Sequence, residues 1–488
     1  MTRLIWPKNV AGLLKQTDTL LIVAPAARFE DGSFLEVLPE EHMRFALDLA
    51  QDLAPGDMGA AAGTLTGSEP RKLGIGVLPD RLSRHNAPSR AGAITKVMRQ
   101  SSTGRSGKAG VLLCLDDPAH YPAAAAAVAR ALPLFDGRSK SPAAATCKVL
   151  ALGPDDLPIA AGPLVTKPAQ YLREAARLVD IPPTDLDPPA FQKQAYGFLR
   201  GMEKVTKKAI IGPKLLESKL AGIHAVGRTA LGAPRMLVLT HKPRASKKHV
   251  ALVGKGVTYD TGGLSIKSTA GMCGMKADMG GAAAVLGAFL TLVETKAPCS
   301  VSAVLCLAEN AVGPSSYKND DILRAHSGLT VEINNTDAEG RILLADGVSY
   351  AARVLKATHV LDAATLTGAQ LMATGKMHAA VVSNDADLER VLVEAGQSSG
   401  DLVHPMLFAP ELYRKEFSSR VADMRNSVAD RMNAQVSCAA QFIYAHMEST
   451  GLPWGHVDLA GPATAGGRGT GFGVALLAES VRRIASEL

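Results

Sequence analysis

The sequence predicts an α/β protein of two domains, and three observations support that prediction. The chain has 488 residues, more than one hydrophobic core usually holds. Short apolar runs alternate with helix-like stretches, which is the pattern of βα units. The composition is 47% hydrophobic and 20% charged, with 46 glycines and 4% aromatic residues, a balance that suits helices packed closely on a sheet.

The N-terminal part contains four apolar runs of strand length, with amphipathic stretches between them. Strands are predicted at 20–26, 73–78, 110–115 and 148–152, and helices at 39–53 and 119–132. A passage rich in proline, glycine and aspartate follows at 153–169 and predicts the domain boundary. We therefore expect a smaller N-terminal domain of residues 1–165 and a larger C-terminal domain of residues 166–488.

The C-terminal part repeats the alternation on a larger scale. Helices are predicted at 170–180, 190–203, 282–295 and 342–355, and strands at 235–240, 249–254, 300–307, 329–333 and 358–362. Strands that alternate with helices favour a mostly parallel central sheet flanked by helices.

Several features favour a cytoplasmic protein. The N-terminus has no continuous apolar segment before a small-residue cleavage site, and no segment is expected to reach the length of a membrane span. The six cysteines are scattered, without a CxxC pair, and most lie in apolar contexts such as VLLCL. Structural thiols in a reducing compartment are therefore expected.

The net charge of +7 and the pI near 9.0 raise the question of nucleic acid. The densest basic runs, 89–108 and 241–248, lack interleaved aromatic residues and any recognisable binding motif. A solvated basic surface is favoured, and nucleic-acid binding stays open as a secondary activity.

The octapeptide NNTDAEGR (334–341) places Asp337, Glu339 and Arg341 at alternate positions, where a predicted strand gives way to a helix. In an extended segment these side chains would leave the same face and converge. Helix capping explains the same residue types, because short polar side chains accept hydrogen bonds from the first helical turn. The octapeptide alone does not decide between a cap and a chemical site.

A second polar cluster lies in the glycine-rich segment 254–281, again between a strand and a helix. It carries Lys255, Asp260, Lys267, Lys276 and Asp278. Because ligand crevices in open α/β sheets form at the carboxyl ends of strands, the two clusters are expected to share one crevice.

Together the clusters would bring four carboxylates into a small volume: Asp260, Asp278, Asp337 and Glu339. Like charges at that range need countercharge, and two divalent cations would supply it, as in two-metal hydrolases. A structural ion-pair network with Lys255, Lys267 and Arg341 is the alternative. Neither cluster contains histidine, and the sequence has no P-loop, HExxH or GxSxG motif.

Three segments resemble the M17 leucyl aminopeptidase family of cytosolic dinuclear metallopeptidases. They are GKGVTYDTGGLSIK (254–267), MKADMGGAAAVLG (275–287) and NTDAEGR (335–341), with weaker matches in ATLTGA (364–369) and HVDLAGPA (456–463). The resemblance covers roughly 165–488. It implies that this part is the catalytic domain and that 1–165 serves oligomerisation or regulation.

The resemblance also implies a ligand set. Asp260, Asp337 and Glu339 would bind one metal, and Lys255, Asp260, Asp278 and Glu339 the other. Lys255 would have to be neutral, whereas Lys267 would stay charged and stabilise the oxyanion. The metals would be Zn or Mn, with Mg or Co as alternatives, since an oxygen-rich site accepts each of them.

Further implications concern the base, the substrate and the assembly. Arg341 would hold a bicarbonate that acts as general base, aided by backbone amides near Ala338, Gly340 and Leu366. The specificity pocket would be lined by Met275, Asp278, Thr365, Gly368, Ala460 and Ala463. The expected activity is release of N-terminal leucine and other apolar residues from peptides with a free N-terminus, by a homohexamer built as a dimer of trimers. A DNA-binding accessory role and a non-catalytic oligomeric scaffold remain alternatives.

Overall fold

The computed structural model describes residues 1–140, 143–243 and 247–488, and within them the chain forms two compact α/β units. The first contains Met1–Glu174 and Gly396–Leu402, and the second contains Ala175–Ala395 and Val403–Leu488. The predicted fold class, a smaller N-terminal and a larger C-terminal α/β part, is confirmed.

The first unit is a mainly parallel sheet with helices on both faces. Its strands are β1 (Thr2–Ile5), β2 (Thr19–Pro25), β3 (Ala60–Leu65), β4 (Lys72–Leu78), β5 (Lys108–Cys114), β6 (Ala145–Leu152) and β7 (Pro158–Ile159). Its helices are α1 (Val10–Leu14), α2 (Ala26–Asp31), α3 (Glu40–Gln51), α4 (Ala91–Ser101) and α5 (Tyr121–Arg130). The strand order is β1-β6-β5-β2-β4-β3, with β7 beside β6, and only the β3–β4 and β6–β7 pairs are antiparallel.

Alternate residues of the central strand β2 enter two separate cores. Leu21 and Val23 pack in the cluster that contains residues of α4 and α5. Leu20 and Ile22 pack in the cluster that contains residues of α2 and α3. Because side chains alternate across a strand, an apolar run such as LLIVA is buried on both faces.

Helix α6 (Pro163–Asp180) leads into the second unit. Its helices are α7 (Pro188–Phe198), α8 (Lys214–Glu217), α9 (Ala221–Gly227), α10 (Thr269–Met272), α11 (Gly280–Glu294), α12 (Gly340–Arg353), α13 (Gly368–Ala373), α14 (Ala386–Ser399), α15 (Pro410–Tyr413), α16 (Gln435–Ala445) and α17 (Val474–Glu487). Its main strands are β8 (Val205–Ile211), β9 (Arg235–His241), β10 (His249–Asp260), β11 (Ser300–Asn310), β14 (His359–Ala364), β15 (Ala379–Ser383), β16 (Val403–Pro405) and β18 (Trp454–Asp458). The short strands β12 (Ile322–Arg324), β13 (Thr330–Glu332) and β17 (Met424–Arg425) form a small sheet, and β19 (Thr464–Ala465) pairs with β20 (Arg468–Gly469).

The eight-stranded sheet has the order β16-β15-β18-β14-β10-β11-β9-β8. The four central strands, β18, β14, β10 and β11, run parallel to one another. Strands β9 and β8 are antiparallel at one edge, and β15 runs antiparallel to β18 near the other. The prediction of a mostly parallel central sheet therefore holds for β10, which leads into the glycine-rich segment 254–281. The strand before the NNTDAEGR segment, β13, belongs instead to the small separate sheet.

Helices cover both faces of this sheet. Helix α11 contacts β10, β11, β14 and α17, while α12 contacts β10, β11 and β14 together with α9 and α16. The close approach of α11 needs glycine at its start, because a Cβ on Gly281 would lie 2.1 Å from the carbonyl oxygen of Ala363.

One stretch, 269–294, is long and apolar enough to cross a membrane by length and composition, so the prediction that no segment reaches that length is wrong. In the fold, 83% of its most apolar window is buried inside the protein. Burial on this scale is that of a core helix.

One of the two basic runs, 89–108, is not simply a solvated basic surface. Much of 89–108 is helix α4, and several of its cations are engaged within the first unit. Arg90 pairs with Asp116 at 2.6 Å, and Lys96 donates to the carbonyl of Gly59 at 3.0 Å. The other run, 241–248, includes residues 244–246, which lie outside the described residues.

Candidate metal centre

Part of the site lies at the carboxyl ends of the parallel central strands, whereas the predicted residues Asp337, Glu339 and Arg341 follow β13 of the small separate sheet. Asp260 ends β10, Asn310 ends β11 and Asp458 ends β18, while Thr365 directly follows β14. Since these four strands are neighbours and point the same way, their ends meet at one edge of the sheet.

Three carboxylates converge at this edge. One oxygen each from Asp260, Asp337 and Glu339 lies within 4.8 Å of the other two. Asp260 is 2% exposed and is held in place through Oδ1, which accepts hydrogen bonds from Gly262 N at 2.9 Å and from Asn310 Nδ2 at 2.8 Å. The other oxygen of Asp260 remains directed at the cluster.

The NNTDAEGR segment reaches the site by a different geometry from the one predicted. It is a turn rather than an extended strand: Ala338 N donates to Asn335 O at 3.2 Å, and Asp337 N donates to Asn335 Oδ1 at 2.9 Å. Asp337 and Glu339 converge because the chain folds back. Helix capping does not explain the segment, since Glu339 is the N-cap residue of α12 and its side chain makes no capping hydrogen bond.

Lys255, on β10, is 3% exposed and lies between two of the carboxylates. Its Nζ is 2.7 Å from Asp278 Oδ1 and 3.0 Å from Glu339 Oε1, and it donates to Thr365 O at 2.9 Å. The lysine passes over Gly340, where a Cβ would come within 2.5 Å of Lys255 Cε. Glycine is thus required at the start of α12 to admit this side chain.

Lys267 contacts the other pair of carboxylates. Its Nζ is 2.9 Å from Asp260 Oδ2 and 2.5 Å from Asp337 Oδ1. Its side chain is 17% exposed, compared with 4% for Lys255. The two lysines therefore differ in both partners and access: Lys255 is enclosed, whereas Lys267 faces the cavity.

The electrostatics of the cluster favour added positive charge. Burial, together with Asp260, raises the pKa of Glu339 to about 8, against the opposing effect of Lys255. Burial also raises the pKa of Asp278 to about 7, although Lys255 opposes this. Burial alone would lower the pKa of Lys255, but Asp278 and Glu339 raise it above its usual value.

Several buried carboxylate oxygens lack a hydrogen bond. Within the described residues, Oε2 of Glu339 and Oδ2 of Asp278 accept none, and Oε1 of Glu339 has only its ion pair with Lys255. Buried polar atoms without a partner are costly, and acceptor-only oxygens in this setting suit hard cations. The residues present therefore fit a metal centre.

Arg341 lies in the first turn of α12 and is 5% exposed. It donates from Nη1 to Asn426 O at 3.1 Å, and no carboxylate pairs with it among the described residues. Burial lowers its pKa to about 10, although Glu339 opposes this. A buried guanidinium with most of its donors unused fits an anion.

The backbone amides predicted to assist Arg341 are partly engaged. Leu366 N donates to Asp458 Oδ1 at 3.1 Å, and Ala338 N is used in the turn described above. Asp458 is fully buried and also accepts from Thr367 Oγ1 at 2.7 Å. It thereby fixes the loop whose Thr365 contacts both Lys255 and Asp278.

A cavity of about 540 Å³ opens onto the cluster. The predicted residues that line it are Lys255, Asp260, Lys267, Met275, Asp278, Asp337, Ala338, Glu339, Gly340, Arg341, Thr365, Leu366, Gly368 and Ala460. Ala463, also predicted, is 4% exposed and is not part of the lining; it lies behind the wall, close to Gly280. Lys276 points elsewhere and donates to Asp180 O at 2.7 Å.

Sequence reasoning missed the residues that support this cluster. Asn310 and Thr336 are fully buried and hydrogen-bond to it, and Asn426 donates to Asn335 O at 2.6 Å. Asn310 could have been found, because it lies three residues after the predicted strand 300–307. Asn426 carries no local signal, since it comes from 85 residues further along the chain than Arg341, to which its carbonyl is bonded.

Comparison with known proteins identifies this arrangement. The model of the cytosol aminopeptidase family catalytic domain matches residues 173–478, and that of the M17 aminopeptidase N-terminal domain 2 matches residues 41–141. The human protein named "Probable aminopeptidase NPEPL1" is 46% identical over 418 residues, which cover 83% of this chain and 78% of the human one.

Solved structures agree across nearly the whole chain. Leucine aminopeptidase LAP1 of Caenorhabditis elegans has a TM-score of 0.89 at 34% identity, covering 99% of each chain. Leucyl aminopeptidase of Trypanosoma brucei in complex with bestatin also scores 0.89 at 34% identity, covering 98% of this chain and 95% of that one. The bottromycin maturation enzyme BotP, in complex with Mn, scores 0.78 at 27% identity and covers 96% of this chain and 100% of its own.

The family is metal-dependent, and the buried carboxylates lie where its catalytic domain model matches this chain. The chain belongs to the cytosol aminopeptidase (M17) family and is an aminopeptidase, a hydrolase that acts on peptides.

Proposed function

We propose that this chain is a cytoplasmic two-metal aminopeptidase that preferentially releases leucine and other apolar N-terminal residues. The observation that carries the proposal is the set of buried oxygens of Glu339 and Asp278 without hydrogen bonds, next to the convergent Asp260 and Asp337. Four carboxylates against two lysines leave an excess of negative charge that two divalent cations would neutralise.

The proposed ligands divide into two overlapping sets. Asp260, Asp337 and Glu339 would hold one cation, and Lys255, Asp260, Asp278 and Glu339 would hold the other. Zn or Mn is proposed, with Mg or Co as alternatives. When bound, the two cations would supply a seat for the substrate's α-amine, polarisation of the scissile carbonyl and activation of water.

The two lysines have different proposed roles. Lys255 touches only buried carboxylates and a carbonyl, so it is placed to be a ligand once its proton is lost, which nearby dications favour. Lys267 faces the cavity and keeps its charge beside Asp260 and Asp337. From that position it would stabilise the oxyanion that develops on the scissile carbonyl.

Arg341 is the proposed holder of a bicarbonate, which would serve as general base towards the attacking water. Its buried guanidinium has donors to spare, and Gly340 offers an adjacent backbone amide. The amides of Leu366 and Ala338 would have to share their present acceptors with the anion.

The proposed specificity pocket is formed by Met275, Thr365, Gly368 and Ala460, which line the cavity beside Asp278. These side chains are small or apolar, so a leucine or methionine side chain is expected to fit. Ala463 would act from behind this wall, where its small size leaves room for the packing around Gly280.

A free α-amine should be required. N-acetylation removes the basic lone pair with which the substrate would bind a cation, so Leu-amide should be hydrolysed and N-acetyl-Leu-amide should not. Activity should disappear on chelation and return when Mn or Zn is added back. Equal turnover of the two amides would rule out the proposed binding of the α-amine to a cation. Activity that is unaffected by exhaustive chelation would rule out the proposed need for metal ions.

The proposed assembly is a homohexamer, a dimer of trimers, in which residues 1–165 serve oligomerisation or regulation. Light scattering coupled to size-exclusion chromatography should give about six times the mass of one chain. A fully active monomer at assay concentration would contradict it.

Two alternatives remain open to direct test. A DNA-binding accessory role predicts duplex binding that weakens with salt and survives chelation. A non-catalytic scaffold predicts no turnover of Leu-amide at any metal concentration. The scaffold is disfavoured because every proposed ligand, as well as Lys267 and Arg341, is present at the cavity.

A further inference from the structure

Nearly all the charged side chains that line the cavity have an interaction partner. The lining contains four carboxylates and four cations, the cations being Lys255, Lys267, Arg341 and Arg431. The lysines pair with carboxylates, and Arg341 is buried against a carbonyl. Arg431 is exposed and has no ion pair or hydrogen bond with any described residue.

The backbone around Arg431 is nevertheless held firmly. Glu416, which is 8% exposed, accepts hydrogen bonds from Asp430 N at 3.0 Å and from Asn433 Nδ2 at 2.8 Å. Asp430 in turn accepts from Met432 N at 2.8 Å. The residues on both sides of Arg431 are therefore fixed, which limits the entropy lost when its side chain binds a ligand.

Arg431 lies on a different wall of the cavity from the one that forms the proposed specificity pocket. Its segment is attached to the 334–339 turn, through Ser427 N to Asn334 Oδ1 at 2.9 Å and through the Asn426 contacts already described. The specificity pocket is formed instead by Met275 and by residues that follow β14 and β18. When the first side chain of a peptide lies in that pocket, the wall of Arg431 is available to the leaving residue, on the other side of the scissile bond.

We propose that Arg431 binds a carboxylate of the leaving residue, so that the preferred substrates are dipeptides or peptides with an acidic second residue. The proposal rests on the aminopeptidase function proposed above. Guanidinium and carboxylate form paired, charge-assisted hydrogen bonds, which neutral amides do not match.

The size of the cavity suits short peptide substrates of this kind. A volume of about 540 Å³ falls within the range of small-ligand sites, roughly 300 to 1,000 Å³. One extended residue spans about 3.5 Å, so the carboxylate of a dipeptide lies one residue length beyond the scissile bond. Arg431 is on the lining of this same cavity.

Four substrates separate the two sources of the carboxylate. Leu-Gly against Leu-Gly-amide tests the C-terminal carboxylate, and Leu-Asp-amide against Leu-Asn-amide tests the side chain. In the metal-loaded wild type, kcat/KM should be about tenfold higher for the charged member of at least one pair, mainly through KM, as expected for one charge-assisted contact. The advantage should shrink with added KCl.

The variants are Arg431→Gln and Arg431→Lys, with Arg420→Gln as the matched control. Arg420 is also exposed but does not line the cavity. Arg431→Gln should bring the charged-to-neutral ratio close to one, Arg431→Lys should keep part of the preference, and Arg420→Gln should keep all of it.

The outcomes are distinguishable from failure of the proposed function. If Leu-Gly and Leu-Gly-amide are both inert with metal present, it is the aminopeptidase proposal that fails. If the substrates are cleaved but neither pair shows a preference for its charged member, Arg431 does not bind the leaving carboxylate. The same conclusion follows if Arg431→Gln keeps the wild-type ratio of charged to neutral kcat/KM. The preferred pair identifies the source: the first indicates a dipeptidase and the second an acidic second residue.

Discussion

Lys267→Ala should lower kcat by two to three orders of magnitude while both metals stay bound. The lysine contacts Asp260 and Asp337 from the cavity side, and it is the more exposed of the two site lysines. Loss of one oxyanion donor costs about 3 to 4 kcal/mol in comparable hydrolases. Because the proposed role of this charge is to stabilise the developing oxyanion rather than to hold the metals, added metal should not restore activity.

Lys255→Ala should fail in a different way. Lys255 is enclosed between Asp278 and Glu339 and is a proposed metal ligand. Without it one cation loses a donor, so metal affinity should fall and excess Mn or Zn should recover part of the activity by mass action.

The measurement is bound metal and turnover for both variants across a metal titration. Lys318→Ala is the matched control, because Lys318 is exposed and does not line the cavity, and it should behave as wild type. If Lys267→Ala loses metal and is rescued while Lys255→Ala keeps both ions, the roles given to the lysines are reversed.

The sequence located this site because its charged residues come in two short segments that end strands. Asp260 and Asp337 are 77 residues apart in number, yet each follows a recognisable apolar run. The meeting of parallel strand ends explains the position of Asp260 at the end of β10, but the run before Asp337 is β13, which lies in the small separate sheet. The way in which Asp337 and Glu339 converge was not predictable, because the turn at 335–338 depends on Asn335 and on Asn426 from a distant segment.

Residues that support the site through tertiary contacts were beyond sequence reasoning. Asp458 acts on Leu366 and Thr367 only after β14 and β18 have paired. The same limit applies to the fold: strands β8, β15 and β16 lie towards the edges of the large sheet and were not predicted, and neither was the central strand β18. Gly396–Leu402 returns to the first unit without a local signal.

Glu339→Gln should separate a metal centre from a structural ion-pair network. The side chain is 1% exposed, and burial with Asp260 raises its pKa. Within the described part of the chain, Oε2 accepts no hydrogen bond and Oε1 has only its ion pair with Lys255. Both proposed ligand sets contain Glu339. Removal of its charge should therefore weaken both sites and reduce activity by about 100-fold or more, since even residues that only support a metal ligand contribute roughly 10- to 100-fold.

Thermal unfolding then distinguishes the two interpretations. In a metal centre the protein alone has more buried carboxylates than lysines, so in EDTA the Gln variant should unfold at the wild-type temperature or higher, because the excess of negative charge falls while Lys255 keeps its ion pair with Asp278 at 2.7 Å. Added Mn should raise the Tm of the wild type, by the equivalent of about 2.7 kcal/mol at one hundred times its Kd, and should leave the variant almost unchanged. Glu411→Gln, at an exposed position outside the cavity, should keep the full metal-dependent rise. A variant that is strongly destabilised in EDTA, together with a wild type whose Tm ignores Mn, would show instead that Glu339 serves Lys255 in a structural ion pair.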